Sequence, residues 1–202
     1  MPVLTIPIHE HGTPGQKNYP HSAGGGVRVG KVVHKWQSTT RAYVHDLRTA
    51  ALAIRNGAPV EDARLAKEAQ ALLDAAEPVT APLFRGTTSA YWSGDIFDQL
   101  TEGTVHDLTL TSFSKDIHLS QRFAGSAVKH KGGYPVLLKL KAGRAVDVTK
   151  QSLSEPEPEG WPLPPHDLAR REKEHIMVGS YRVVRTVFNG PRQQITVELE
   201  PV

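Results

Sequence analysis

The chain has 202 residues, of which 39% are hydrophobic and 22% charged, a composition typical of a folded domain with an apolar core. It contains no cysteine, which excludes disulfide bonds, thiolate metal ligands and cysteine nucleophiles. The formal net charge is +3, and residues 1–50 carry the basic excess without a dense Lys/Arg cluster or interleaved aromatic side chains, so nucleic acid is not favoured as a partner.

Two further features bear on where the protein acts. No apolar run approaches the roughly 20 residues that a transmembrane helix needs. The N-terminus, MPVLTIPIHEHG, lacks the basic start and apolar core of a signal peptide. We therefore expect a cytoplasmic protein that makes no membrane contact.

Residues 1–34 are rich in Gly, Pro and His and show no period that would bury one face. We predict a flexible arm here, with a short strand at residues 3–8 or 27–33 as its only regular structure. The stretch HGTPGQKNYPH within the arm resembles the His-Gly linkers of phage head-associated polypeptides, which implies a phage origin.

Residues 35–78 are predicted to be helical. Apolar side chains recur at steps of three, four and seven residues from Trp36 to Ile54, which predicts one helix over residues 36–55. A second helix is predicted over residues 60–76, where Glu61 and Asp62 in the first turn complement the helix dipole.

Residues 79–202 are predicted to be rich in β-strands, because short apolar or alternating runs lie between turn residues. The predicted strands span residues 82–86, 104–114, 134–141, 144–148, 174–178, 181–188 and 194–199. Short helices are predicted at residues 95–100 and 118–124, and residues 151–169 are predicted to be a long loop rich in Pro and Glu. Helices followed by a strand-rich part indicate a single α+β domain over residues 35–202.

Two polar signals stand at the ends of predicted strands. Arg85 follows two apolar residues in LFRGT, where it either forms an ordinary salt bridge or binds phosphate oxygens, and Gly86 would let a ligand approach the backbone. Ser112 and Ser114 in TSFS stand two residues apart, so either both hydroxyls face one cleft or they cap the following helix.

Glu172 and Glu174 in EKEHIMV form a third polar signal. On a strand, residues i and i+2 point the same way, so the two carboxylates are predicted to lie side by side. Either the neighbouring Arg and Lys residues neutralise them at a solvated strand end, or the pair serves chemistry behind the long loop. Like charges at this distance would raise the pKa of one carboxyl group and couple the titration of both.

The stretches LFRG, TSFSKDxxxSxxFA and EKEHIMV, in this order, resemble the Arg–Ser–Glu class of mono-ADP-ribosyltransferases, which includes clostridial arginine-modifying toxins and related phage enzymes. The resemblance covers residues 80–190 and departs from the usual pattern at Phe113, where the family has threonine, and at His175. It implies N-terminal helices packed on a two-sheet, mostly antiparallel β-core, with NAD as the substrate that binds in a cleft between strands.

The resemblance also implies roles on the NAD side of the site. Glu174 would stabilise the positive charge that develops on the ribose as its bond to nicotinamide breaks. Ser112 would orient Glu174, and Arg85 would bind the pyrophosphate or the adenosine-side ribose. The remaining expected NAD-binding residues are Gly86, which would offer backbone contacts to nicotinamide, Phe113 and Ser114.

On the acceptor side, the resemblance implies that Glu172 positions and activates the incoming nucleophile. A glutamate at this position of the family goes with arginine as the acceptor, so we expect transfer to a protein arginine, in a bacterial host protein if the chain is phage-encoded. Residues 151–171 would recognise the acceptor, and Trp161 either contacts it or packs this loop on the domain. Residues 125–133 would form a mobile loop over the phosphates or a solvated turn.

Several alternatives stay open from the sequence. The same residues fit an NAD glycohydrolase, a transferase that acts on nucleic acid, or a phage structural or binding module with an inactive transferase fold. Retention of all three polar signals argues against the inactive module. The stretch His9-Glu10-His11 lacks the spacing of a zinc site, so no metal is expected. We expect a monomer.

Overall fold

The computed structural model describes residues 4–5, 27–38, 41–92, 95–156, 165–190 and 193–202. The helices in these ranges are α1 (Val29–Ser38), α2 (Arg41–Arg55), α3 (Ala63–Asp74), α4 (Ile96–Gln99), α5 (Ile117–Lys131), α6 (Val148–Leu153) and α7 (Pro165–Glu172), with a short 3-10 helix at Ser89–Tyr91. The strands are β1 (Leu4–Thr5), β2 (Glu77–Val79), β3 (Leu83–Thr88), β4 (Val105–Asp107), β5 (Thr111–Ser114), β6 (Pro135–Leu140), β7 (Gly143–Asp147), β8 (Glu174–Val178), β9 (Ser180–Asn189) and β10 (Gln194–Pro201). Most of the predicted N-terminal arm, with its phage-like stretch, and Trp161 lie outside the described residues.

The strands of the described ranges join in the order β1-β4-β9-β10-β6-β3-β5-β8-β7-β2. Neighbours are antiparallel except in the β1–β4 and β6–β10 pairs. Strands β3 and β5 share only the pair Phe84↔Ser114, which divides the order into a larger half-sheet that ends at β3 and a smaller half-sheet, β5-β8-β7-β2. The predicted α+β fold, with helices on a two-part and mostly antiparallel β-core, is confirmed.

Two hydrophobic cores lie on the two faces of the smaller half-sheet. On one face, Val146 and Ile176 pack against helices α1, α2 and α3. On the other face, Phe113 and Met177 pack against the larger half-sheet, which contributes Leu138. Because successive side chains of a strand point in opposite directions, the adjacent residues Ile176 and Met177 enter different cores.

Helix α5 lies against strand β3 of the larger half-sheet. The helix begins after Asp116, whose carboxylate accepts hydrogen bonds from the backbone N–H groups of His118 and Leu119. Ser120 Oγ donates to the carbonyl oxygen of Phe84 over 3.0 Å and so fixes the helix to the strand. Within the described ranges, the helices fall short of the length and apolar character that a bilayer-spanning helix requires.

Two predictions for the N-terminal region are wrong, namely the extent of the arm to residue 34 and the single helix over residues 36–55. Residues 27–33 do not form a strand, because α1 begins at Val29 and buries Val32, Val33 and Trp36 along one side. Helical structure therefore starts inside the predicted arm, which was expected to extend to residue 34. The single helix predicted over residues 36–55 is two helices, since α1 ends at Ser38 and α2 begins at Arg41. Within the predicted range 3–8, β1 pairs with β4.

Three predictions for the strand-rich part also need correction. Residues 104–114 form β4 and β5, because the chain turns between them and Leu110 adopts a left-handed φ of 51°. Residues 125–131 are neither a mobile loop nor a turn but the second half of α5. The loop predicted over residues 151–169 contains the end of α6 and most of α7.

Candidate functional site

The candidate site lies where strands β3 and β5 separate. After the pair Phe84↔Ser114, β3 continues along β6 to Thr88, whereas β5 continues along β8. The Arg85 side chain spans the opening, because its Nη1 donates to the carbonyl oxygen of Ser112 over 2.9 Å. Arg85 itself is 8% exposed, so its side chain is buried at this opening.

Glu174 is the first residue of β8 and pairs with Ser114 of β5. Its carboxylate accepts hydrogen bonds at Oε1 from Ser112 Oγ, at 2.5 Å, and from Trp36 Nε1, at 2.9 Å. In the described part of the chain, no donor reaches Oε2 of this carboxylate. Burial raises the pKa of Glu174, while the hydrogen bonds from Ser112 and Trp36 and the charge of Arg85 act in the opposite direction.

The structure thus brings Arg85, Ser112 and Glu174 together from three strands. Arg85 and Ser112 lie 27 positions apart in the sequence, and Ser112 and Glu174 lie 62 positions apart. Arg85 holds the backbone of Ser112, and Ser112 in turn holds the Glu174 side chain. The arrangement joins a guanidinium and a carboxylate to one serine at the opening between the half-sheets. Their roles in chemistry remain predictions.

Ser114 binds the backbone carbonyl of Glu172, and Ser112 binds the carboxylate of Glu174. Its Oγ donates to the carbonyl oxygen of Glu172 over 2.6 Å and accepts from the backbone N–H of Asp116 over 2.9 Å. The Phe113 side chain, predicted to contact NAD, is 2% exposed and packs in the core between the half-sheets, so only its backbone remains for a ligand. The two serines of TSFS therefore hold different partners.

Gly86 is placed by packing against α5. A Cβ atom at this position would lie 1.7 Å from the backbone oxygen of Ser120, which no side chain can tolerate. Its backbone lies one residue beyond Arg85, at the mouth of the opening between β3 and β5. Close packing against α5 therefore requires a glycine at this position, a requirement that the NAD-binding prediction did not include.

The side-by-side placement predicted for Glu172 and Glu174 requires both residues to lie on one strand, and they do not. Glu172 is the last residue of α7, and β8 begins at Glu174. Lys173 between them has a left-handed φ of 47°, which ends the helix and turns the chain into the strand. The leading cause of the raised pKa of Glu174 is burial, in place of the predicted repulsion between two side-by-side carboxylates.

His175, at which the chain departs from the family pattern, does not displace the strand. Its side chain is 3% exposed, and its Nε2 lies 3.6 Å from Oδ2 of Asp147. Burial lowers the pKa of His175, and its Nδ1 lies 3.1 Å from the carbonyl oxygen of Lys173. The histidine therefore points to β7 while Glu174 points to α1.

The contact between Trp36 and Glu174 was not predicted from the sequence. The two residues lie 138 positions apart, and the sequence pattern identifies Trp36 only as an apolar residue on one side of a helix. Periodicity indicates that such a tryptophan is buried, but it carries no information about the partner of the indole N–H. Only the packing of α1 on the smaller half-sheet shows the contact.

No protein-family model matches the chain, and no curated protein does so either. Among solved structures, the chain is similar to the ADP-ribosyltransferase Vis in complex with agmatine, with 14% identity, a TM-score of 0.50, and coverage of 86% of this chain and 74% of that chain. It is also similar to Vis toxin of Vibrio splendidus, with 16% identity, a TM-score of 0.48 and coverage of 86% and 72%.

A third similar structure is the C3 exoenzyme of Clostridium limosum, with 14% identity, a TM-score of 0.45, and coverage of 85% of this chain and 90% of that chain. At these identities the likeness concerns the fold, and the match to Vis at a TM-score of 0.50 carries it. The chain has the fold of the ADP-ribosyltransferases.

Proposed function

We propose that this protein is an NAD-dependent mono-ADP-ribosyltransferase that transfers ADP-ribose to an arginine side chain of a target protein and releases nicotinamide. The observation that supports the proposal best is the state of the Glu174 carboxylate. It is buried at the opening between the half-sheets, and both of its protein donors reach the same oxygen. The second oxygen is left to face a substrate.

The proposed reaction replaces one bond at C1′ of the nicotinamide-side ribose. The bond from C1′ to the nicotinamide nitrogen breaks, and its electron pair leaves with neutral nicotinamide. Positive charge develops on the ribose, and Oε2 of Glu174 stabilises it, as a carboxylate does in glycoside hydrolysis. A guanidinium nitrogen of the acceptor then bonds to C1′ and loses its proton.

Arg85 suits the phosphate side of this substrate. Its guanidinium is fixed by the bond from Nη1 to the Ser112 carbonyl oxygen, and a fixed guanidinium binds phosphate oxygens in a planar, directed manner. The Arg85 charge also lies close enough to Glu174 to favour its ionised form. One arginine would thus bind NAD and keep the carboxylate charged.

Glu172 would position the acceptor and take up its proton. The carbonyl oxygen of Glu172 is held by Ser114, so the residue stands at a fixed place next to the strand that carries Glu174. Agmatine, which is bound to Vis, carries a guanidinium group, and this supports a guanidinium acceptor for the same fold here. The acceptor would approach from the end of α7.

The test is a paired measurement of nicotinamide release and label transfer from NAD that is labelled in its adenosine part. Acceptors are agmatine, as a small guanidinium compound, and the proteins of a bacterial lysate. We expect label on agmatine and on protein with wild-type chain, and a loss of about a hundredfold or more with Glu174→Gln. The matched control is Glu198→Gln, which removes a carboxylate from β10 that pairs with Lys139 and Lys141.

Each other outcome selects a different function. Free ADP-ribose as the only labelled product would show an NAD glycohydrolase, and label on nucleic acid would show a different acceptor class. A wild-type chain that releases no nicotinamide with any acceptor would overturn the proposal and leave a binding module with this fold. Equal activity of Glu174→Gln and Glu198→Gln would show that the wrong carboxylate was chosen.

A further inference from the structure

Trp36 connects the N-terminal helix α1 to the carboxylate of the candidate site. Its side chain is 4% exposed, and its indole N–H donates to Oε1 of Glu174 over 2.9 Å. The two residues that precede Trp36 fix the position of α1. His34 Nε2 donates to the carbonyl oxygen of Ser152 in α6 over 2.9 Å, and Lys35 Nζ lies 3.1 Å from Oε1 of Glu68 in α3.

The two donors to Glu174 come from two adjacent layers of the molecule. Ser112 belongs to the smaller half-sheet, next to β8, and Trp36 belongs to the helical layer that covers this half-sheet. A carboxylate oxygen has two lone pairs, so donors from Ser112 and Trp36 together use the acceptor capacity of Oε1. With one oxygen held from two directions, rotation of the carboxylate would break at least one of these bonds.

We infer that Trp36 is a positioning residue for Glu174, whose indole N–H, together with the Ser112 hydroxyl, fixes the carboxylate so that Oε2 is presented to the sugar of the substrate. This inference rests on the proposed function. The tryptophan would touch neither NAD nor the acceptor; it would act through the carboxylate. The ADP-ribosyltransferase site would then extend into α1, outside the three sequence stretches that indicated it.

The described charged groups around Glu174 agree with this role. Arg85 from β3 is the charge that acts on Glu174, and it favours the ionised form, as do the hydrogen bonds from Ser112 and Trp36. Three other titratable groups on α1 and β8 face elsewhere: His34 bonds to α6, Lys35 bonds to α3, and His175 faces Asp147 of β7. Loss of the indole N–H should therefore raise the pKa of Glu174.

The test compares two ways of removing the N–H with a matched tryptophan elsewhere. Trp36→Phe removes the donor and part of the ring, and replacement of Trp36 by 3-benzothienylalanine removes the donor but keeps the ring shape, since sulfur stands in place of N–H. The control is Trp92→Phe. Trp92 is 6% exposed in the core between the half-sheets, and its indole N–H has no partner among the described residues.

Nicotinamide release is measured against NAD concentration and pH for each variant. We expect both Trp36 variants to lose roughly tenfold in kcat with little change in KM for NAD, and the acidic limb of the rate profile to move to higher pH. Trp92→Phe should lower the melting temperature but keep the wild-type pH profile. Equal kinetic losses at positions 36 and 92, or a benzothienyl variant with wild-type kinetics, would overturn the inference.

A second readout separates this inference from the proposed function. Carbon-13 in the side-chain carboxyl carbons of glutamate allows the Glu174 resonance, assigned by its loss in Glu174→Gln, to be titrated without any turnover. A higher pKa in the benzothienyl variant than in wild type would support the positioning contact even if wild type does not cleave NAD. An unchanged pKa would refute the contact even if wild type is an active transferase.

Discussion

Ser112 and Ser114, two residues apart on β5, hold the two glutamates of the candidate site in different ways. Ser112 donates from Oγ to the carboxylate of Glu174 over 2.5 Å, whereas Ser114 donates from Oγ to the backbone carbonyl oxygen of Glu172 over 2.6 Å. One serine therefore orients a side chain, and the other anchors the chain where α7 ends. Their removal should have different consequences.

For the serines, we expect Ser112→Ala to lower kcat of NAD cleavage by roughly tenfold with a small effect on stability, because Glu174 keeps only the Trp36 donor. Ser114→Ala should instead lower the free energy of unfolding by about 1–3 kcal/mol, since the Glu172 carbonyl and the Asp116 N–H both lose a buried partner. Denaturant unfolding and steady-state kinetics on both variants check this. Identical profiles for the two variants would contradict the distinction.

Glu174→Gln should stabilise the protein at neutral pH while it abolishes activity. The amide oxygen can still accept from Ser112 and Trp36, but the variant no longer holds a buried charge. Thermal unfolding at pH 7 checks this, and we expect a higher melting temperature for the variant than for wild type. A lower melting temperature would show that the charge of Glu174 contributes to folding.

The same pair of proteins makes a pH prediction with a definite sign. Because burial raises the pKa of Glu174 in the folded state above its ordinary value of 4.5, protonation stabilises the fold. That stabilisation is fully present below pH 4.5 and is lost as the pH rises through the folded-state pKa. The stability difference between Glu174→Gln and wild type should therefore be largest at neutral pH and disappear in acid, as melting temperatures across the pH range would show.

Glu172→Gln should abolish transfer to agmatine and leave slow hydrolysis of NAD. Its backbone stays anchored by Ser114, so only the carboxylate is lost, and water needs less positioning than a guanidinium group. The control on the same helix is Asp167→Asn, since Asp167 is 66% exposed and pairs only loosely with Arg170 at 3.6 Å. Parallel loss of both activities in Glu172→Gln would show that its carboxylate is not specific to the acceptor.

Arg85→Lys should raise KM for NAD by roughly tenfold or more. An ammonium group cannot donate to the Ser112 carbonyl and present a planar pair of N–H groups to a phosphate at the same time. Arg144→Lys is the matched control, because Arg144 Nη2 also donates to a backbone carbonyl, that of Ala76, but it does so from β7. Similar KM values for the two lysine variants would remove Arg85 from the NAD-binding site.

Gly86→Ala should unfold or severely destabilise the protein, since the added Cβ would meet the Ser120 oxygen of α5 at 1.7 Å. The contrasting variant is Gly125→Ala on α5, where the added Cβ meets nothing within 4 Å. That substitution should be neutral or stabilising by about 1 kcal/mol through helix propensity. Soluble yield and thermal unfolding of the two variants measure the difference. A stable Gly86→Ala variant with impaired NAD cleavage would instead favour a purely ligand-facing role for this glycine.

The strands that bury side chains on at least one face could be predicted well from the sequence. Alternating or continuous apolar runs located β6, β8, β9 and β10 to within two residues at each end. The failures occurred where local pattern and tertiary packing disagree. VRVGKVV alternates like a strand, but α1 forms because Val32, Val33 and Trp36 bury one side of a helix against the smaller half-sheet.

The individual residues of the candidate site could be predicted from the sequence, but the contacts between them could not. Arg85, Ser112 and Glu174 stand out as polar residues beside apolar strands, so their positions were within reach of the sequence. The end of α7 at Glu172 depends on the left-handed backbone of Lys173, which no residue preference indicates. The hydrogen bond from Trp36 depends on how a whole helical layer packs, over a separation of 138 residues.

The turn at Lys173 allows the two glutamates to be altered independently. The register of β8 against β5 and β7 fixes Glu174, whereas the extent of α7 fixes Glu172. A change in the length or composition of the segment before Glu172 can thus move the first carboxylate without shifting the second out of its bonds with Ser112 and Trp36. In the proposed transferase, the acceptor could then change, by natural drift or by directed evolution, while the residues that cleave NAD stay the same.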